Sequence, residues 1–143
     1  MAKIYEFDPI IYPYRIWIVV DKTPDIIIEN FNEYNGDKIY KFSADFCRYD
    51  GFVLPVQSKN NPKYGAVIYF SSKKEMSYEI IAHESSHAAK YLFEHIGADI
   101  QEHEPFEYVV GWIAKCCAEV KNGKANNLIT DYNEKNRSKN SSR

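Results

Sequence analysis

Five consecutive residues carry the chemistry most open to reading: His83-Glu84-Ser85-Ser86-His87, a His-Glu-x-x-His string in a chain with 4 histidines. On a helix, residues four apart stand one above the other, so both imidazoles can reach one metal ion. Glu84 falls at the edge of the same face. It is placed to take a proton from water activated by the metal rather than to bind the metal itself. The pattern therefore points to Zn2+ and to hydrolysis, with His83 and His87 as ligands and Glu84 as general base. The bland alternative is a solvated helix face with two histidines and a glutamate. The surroundings weigh against it: Ile80, Ile81, Ala88 and Leu92 can pack, helix-capping residues precede the string, and Gly97 can close the helix.

A catalytic zinc site needs a third protein ligand and an open position. Downstream candidates are Glu94, His95, His103, Glu104 and Glu107. Glu94 and His95 lie about two turns beyond His87, roughly 11 Å along the axis, too far to close a tetrahedron. His95 suits the helix C-terminus, where a partly charged imidazole meets the dipole. The ligand is then expected from a second helix, with Glu104 favoured over His103 and Glu107 offset from the face. With Pro105 as first helical residue, Glu104 is the N-cap and Tyr108 lies one turn behind it. Tyr108 would orient a histidine or donate to a developing oxyanion. Its alternative role is a core tyrosine. Glu79, one turn before His83, reads as a solvated glutamate more than as a partner of the site.

These residues need a scaffold, and the sequence suggests one. The front half reads mostly as strands: Ile4 to Phe7, Arg15 to Val20, Lys38 to Phe42, Asp45 to Tyr49, Phe52 to Val56 and Ala66 to Phe70. Thr23-Pro24 marks the start of a helix carrying Ile26, Ile27, Phe31 and Tyr34 and stopping at Asn35-Gly36. Asp50-Gly51 is a tight-turn signal. The back half changes period. Ser72 or Ser77 caps a helix running to about Ile96, and a second helix runs from Pro105 to Val120, stopped by Asn122-Gly123. Residues 1–123 make one expected domain and 124–143 a polar tail.

Composition narrows the class. A chain of 143 residues with 45% apolar and 15% aromatic residues can bury one core. Its 18 basic and 20 acidic residues, net charge −2, give no basic surplus for nucleic acid. No apolar run approaches a membrane span and no secretory signal is visible, so a cytoplasmic location is expected. Cys47, Cys116 and Cys117 suit neither a disulfide framework nor a metal knuckle and read as small buried thiols.

The back half resembles a group of small zincin-type metallopeptidase proteins, often encoded by bacteriophages. Their pattern is His-Glu-x-x-His-Ala, a helix-ending glycine, then Glu-Pro-x-Ala-Tyr, two hydrophobic residues, glycine and an aromatic. Here the residues are His83 to Ala88, Gly97, and Glu104-Pro105-Phe106-Glu107-Tyr108-Val109-Val110-Gly111-Trp112. The opening Tyr12-Pro13-Tyr14-Arg15-Ile16-Trp17 and the strand Gly65 to Phe70 are also similar, so the likeness spans roughly residues 7 to 120. Glu107 and His103 depart from the pattern. The resemblance implies a minimal gluzincin site, with His83, His87 and Glu104 on zinc and Glu84 as base. A metzincin would need glycine and histidine where Lys90 and Phe93 stand. A Spartan-type, DNA-linked protease would use a later histidine such as His103.

The expected fold is α+β: a small mixed or antiparallel sheet, the motif helix packed on it, and a second helix carrying the third ligand. The expected function is zinc-dependent hydrolysis of peptide bonds, acting on a peptide or protein held along a strand edge near the site, Ala66 to Phe70 being the candidate. If the chain is phage-encoded, the host cytoplasm is the compartment. The alternative is a non-catalytic virion or host-interaction protein with a structural or vestigial zinc site.

Overall fold

Strands and helices follow the change of apolar period along the chain, strands mostly before residue 71 and two long helices after it. The computed structural model describes residues 3–42, 50–60, 62–126 and 128–131. The strands are β1 (Lys3–Phe7), β2 (Arg15–Val20), β3 (Phe31–Glu33), β4 (Gly51–Ser58), β5 (Tyr64–Phe70) and β6 (Leu128–Asp131). The helices are α1 (Asp25–Asn30), α2 (Tyr78–Ile96) and α3 (His103–Lys121). The strands form one sheet in the order β3-β4-β5-β2-β1-β6. Among the described residues only β2 and β5 pair in parallel, so the fold is α+β with a six-stranded mixed sheet.

Both sheet faces are covered, which explains the continuous apolar runs of β2 and β5. One core joins Ile16, Ile18, Ala66, Ile68 and Phe70 to Ile81, Ala88, Leu92, Ile113 and Cys117 of α2 and α3. The other joins Trp17, Val19, Val67 and Tyr69 to Ile26, Ile27 and Phe31. Leu92 is fully buried, and truncating it to alanine should cost about 2–5 kcal/mol. Gly65 lets β2 and β5 approach: a Cβ there would collide with the Arg15 carbonyl and the Trp17 ring.

Several local expectations change in three dimensions. β5 is an interior strand paired on both sides, so Ala66 to Phe70 offers no edge to a peptide. Helix α1 stops at Asn30 because Phe31 turns extended, at φ −132° and ψ 152°. There it pairs with Ser58 of β4 and packs its ring 4.8 Å from Trp17. Burial of Phe31 in the sheet core wins over propagating a helix of β-branched residues. Lys38 makes an isolated bridge to Asn32 in place of a strand. The Asp45 to Tyr49 strand and Cys47 lie outside the described residues. In the segment read as a polar tail, Leu128–Asp131 adds β6 to β1.

Candidate functional site

Helix α2 is specified at both ends. Ser72 caps a 3-10 turn, Lys73–Glu75, and Ser77 caps α2 itself by accepting from the Ile80 N–H. Both capping signals are therefore used, one for each helical segment. Gly97 ends α2 at φ 73°, a left-handed conformation that glycine adopts without cost. Between these ends, Ile81, Ser85, Ala88, Ala89 and Leu92 face inward. That phase fixes where the motif points: His83 and His87 stand exposed while Glu84 is buried.

The two imidazoles converge. Their Nε2 atoms are 3.1 Å apart, with ring centroids at 4.7 Å and planes at 76°. One Nε2–H can donate to the other nitrogen in this arrangement. Two histidine nitrogens on a tetrahedral zinc, each at about 2.0–2.1 Å, would be about 3.3–3.4 Å apart. The pair thus fits two adjacent positions of such an ion with a minor adjustment.

Glu84 is 7% exposed. Burial raises its carboxyl pKa above the ordinary range, and the neighbouring His83 and then His87 pull it part of the way back. A carboxylate whose proton affinity is raised suits a general base. Gly51 of β4 makes room for it: a Cβ there would lie 3.3 Å from both the Ile80 side chain and the Tyr69 carbonyl, and 3.6 Å from Glu84 Cγ. Gly51, Phe52 and Val53 of β4, with His83, Glu84, His87 and Tyr91 of α2, line one open groove of about 250 Å³.

The residues expected from α3 stand elsewhere. Phe106 meets Phe93 with ring centroids 5.4 Å apart, and the Lys121 ammonium lies 5.1 Å from the Tyr78 ring centroid. The helices therefore run antiparallel. Counting inward from both contacts puts Trp112 level with His87 and Glu104 level with His95. Glu104 is then about 12 Å from His87 along the axis. Glu104 and His103 are both exposed. Among the described residues, no three histidine, cysteine, aspartate or glutamate side chains gather closely enough to hold a metal. Tyr108 is 73% exposed and lines a different groove, with Pro9, Ile11, Tyr12, Pro105 and Trp112. Glu104 is also not the N-cap: α3 begins at His103, after Glu102. Pro105 is tolerated at the third helical position because its missing N–H is one of the four that find no partner within the helix.

The remaining candidates take quieter places. Glu79 is exposed. Cys116 and Cys117 are free and buried. Burial pushes both thiols up to about 12, with Cys117 adding to the shift at Cys116. The sequence reading missed Tyr91 and the β4 wall. Tyr91 had a signal, since it continues the four-residue spacing of His83 and His87. The β4 wall had none, because strand-to-helix docking is not a spacing within one element. No family model, curated protein or solved structure matches the chain. Among the described residues, no helix is long and apolar enough to cross a membrane.

Proposed function

We propose that the chain is a zinc-dependent peptidase of minimal zincin type, with His83 and His87 as the metal-binding core and Glu84 as general base. The observation that carries the reading is the convergence of two exposed Nε2 atoms at 3.1 Å beside a buried glutamate. When bound, zinc supplies a Lewis acid that polarises a scissile carbonyl and makes water more acidic. Glu84 accepts a proton from the attacking water and delivers it to the leaving amine. The groove wall from Gly51 to Val53 shields one side of the carboxylate from solvent, which keeps its proton affinity high. Glu104 belongs to this proposal as the third ligand only if α3 shifts along α2 by about two turns.

The position of Glu104 favours a second reading, a zinc-binding module without catalysis, in which two histidines hold the ion loosely or share it with a partner. One experiment separates the two. The purified chain is loaded with zinc, its metal content is measured, and it is incubated with a peptide library beside the Glu84→Gln variant. Cleavage that requires both zinc and Glu84 supports the peptidase. Stoichiometric zinc without cleavage supports the binding module. No stoichiometric zinc after reconstitution removes both.

A further inference from the structure

The face of α2 that carries the histidines continues past them. His83, His87, Tyr91 and His95 follow one another at four-residue spacing and make a single stripe. Tyr91 borders the histidine groove and also a second cavity of about 220 Å³, lined by Tyr14, Tyr34, Pro55, Tyr91, Glu94 and His95. The His95 ring lies 5.0 Å from Tyr14, 5.1 Å from Tyr64 and 5.8 Å, edge-on, from Tyr34. The Tyr34 hydroxyl and His95 Nδ1 share a hydrogen bond of 2.6 Å. Three of the cavity's aromatic groups, Tyr14, Tyr34 and His95, are thereby held in fixed orientations around one space, with Tyr64 behind the His95 ring.

Two polar features of this space are unused. Tyr14 is 1% exposed, yet its hydroxyl has no hydrogen-bond partner among the described residues. A buried hydroxyl left this way is costly and calls for a partner. Glu94 stands exposed at the rim, with no ion pair among the described residues. Its carboxylate is close enough to Tyr14 to add, after burial and the Tyr34 and Tyr91 phenol groups, to the upward shift of the Tyr14 hydroxyl. Tyrosine faces attract cations, and Glu94 supplies the opposite charge. An anion would meet the Glu94 charge and the negative ring faces instead.

We propose that this cavity binds the cationic side chain of a lysine or arginine in a peptide lying along α2 from the histidine pair. As a substrate subsite it rests on the peptidase reading, but the binding itself needs no metal. The cavity is two turns of α2 from His87, about 12 Å, which an extended peptide spans in about three to four residues. The cationic residue would therefore sit at that fixed offset from the scissile bond.

The test uses metal-free full-length protein titrated with N-acetyl-lysine methylamide and with its neutral counterpart, N-acetyl-norleucine methylamide, followed by the tyrosine ring resonances. The lysine derivative should bind about tenfold or more tightly than the norleucine one, with shifts at Tyr14, Tyr34 and Tyr91. Glu94→Gln should remove about that tenfold preference, since the site is exposed and the fold is not at risk. Equal binding of the two derivatives, no binding of either, or an unchanged preference in Glu94→Gln overturns the proposal. Peptide-library cleavage then distinguishes the two readings. Lysine binding without hydrolysis keeps the cavity and removes the peptidase. Hydrolysis with no lysine or arginine at a fixed offset keeps the peptidase and removes the subsite.

Discussion

In α2, residues 83–87 turn two imidazoles towards one point beside β4; in α3, residues 103–108 turn a histidine, a glutamate and a tyrosine into solvent. Both segments are helical and both carry polar groups at helical spacing. The first set meets because its members share a helix, whose pitch is fixed by backbone hydrogen bonds. The second set had to meet a partner on another helix. That requires a particular sliding register between α2 and α3, and here the register is set by apolar contacts such as Phe93 on Phe106. The difference teaches that a two-histidine motif transfers from sequence to space more safely than the third ligand that completes it.

The largest test of that difference is metal binding. His83→Ala and His87→Ala should each weaken zinc at least about a hundredfold, measured by competition with a chromophoric chelator. Glu104→Ala should change the affinity by less than about threefold. If Glu104→Ala matches the histidine variants, the helices re-register when metal binds and the contrast between the two segments collapses.

Next in size is Glu84, the proposed general base. Glu84→Gln should keep the zinc and lose about 10²- to 10⁴-fold in hydrolysis of any library substrate found. The same variant has a signature in the metal-free protein. Burial holds the Glu84 carboxyl pKa above its unfolded value, so this group's contribution to stability is full at low pH and declines as pH rises through that window. Glutamine carries no such penalty. The variant should therefore melt a few degrees above the parent at neutral pH, with the gap closing as pH falls below the ordinary carboxylate range. A gap that widens on acidification would mean that burial does not dominate at Glu84.

A smaller effect is expected at the groove wall. Gly51→Ala adds a methyl within 3.3 Å of Ile80 and of the Tyr69 carbonyl, so β4 and α2 must part by a few tenths of an ångström. Hydrolysis should fall about three- to tenfold with zinc affinity little changed, because the histidines lie on the solvent side of α2. The smallest effect is expected at Tyr108. Tyr108→Phe should alter turnover by less than about twofold, since the hydroxyl borders a groove that shares no residue with the histidine groove. A loss of a hundredfold there would place α3 in the reaction after all.

Much of α2 was legible beforehand. Ser77, the apolar stripe through Ile81, Ala88 and Leu92, and Gly97 gave its start, buried face and end. The parallel pairing of β2 with β5, the return of Leu128–Asp131 to β1 and the interior place of β5 were not legible. Pairing partners far apart in sequence leave no mark on local periodicity.

Taken alone, the residues determined what a single helix can determine: that His83 and His87 share a face, that Glu84 sits at its edge, and that Gly97 ends the run. They also determined class, since both halves carry the apolar periods of strands and helices that must cover one another. Tertiary structure decided everything that joins two elements. It buried Glu84 against Gly51, set Glu104 level with His95 instead of His87, and closed three tyrosines, from the segment before β2, from β5 and from the segment after β3, around the last turn of α2. The physical reason is the same in each case. Helix pitch is a property of the backbone alone, whereas docking depends on which side chains fill the space between elements, and that sum is over the whole core.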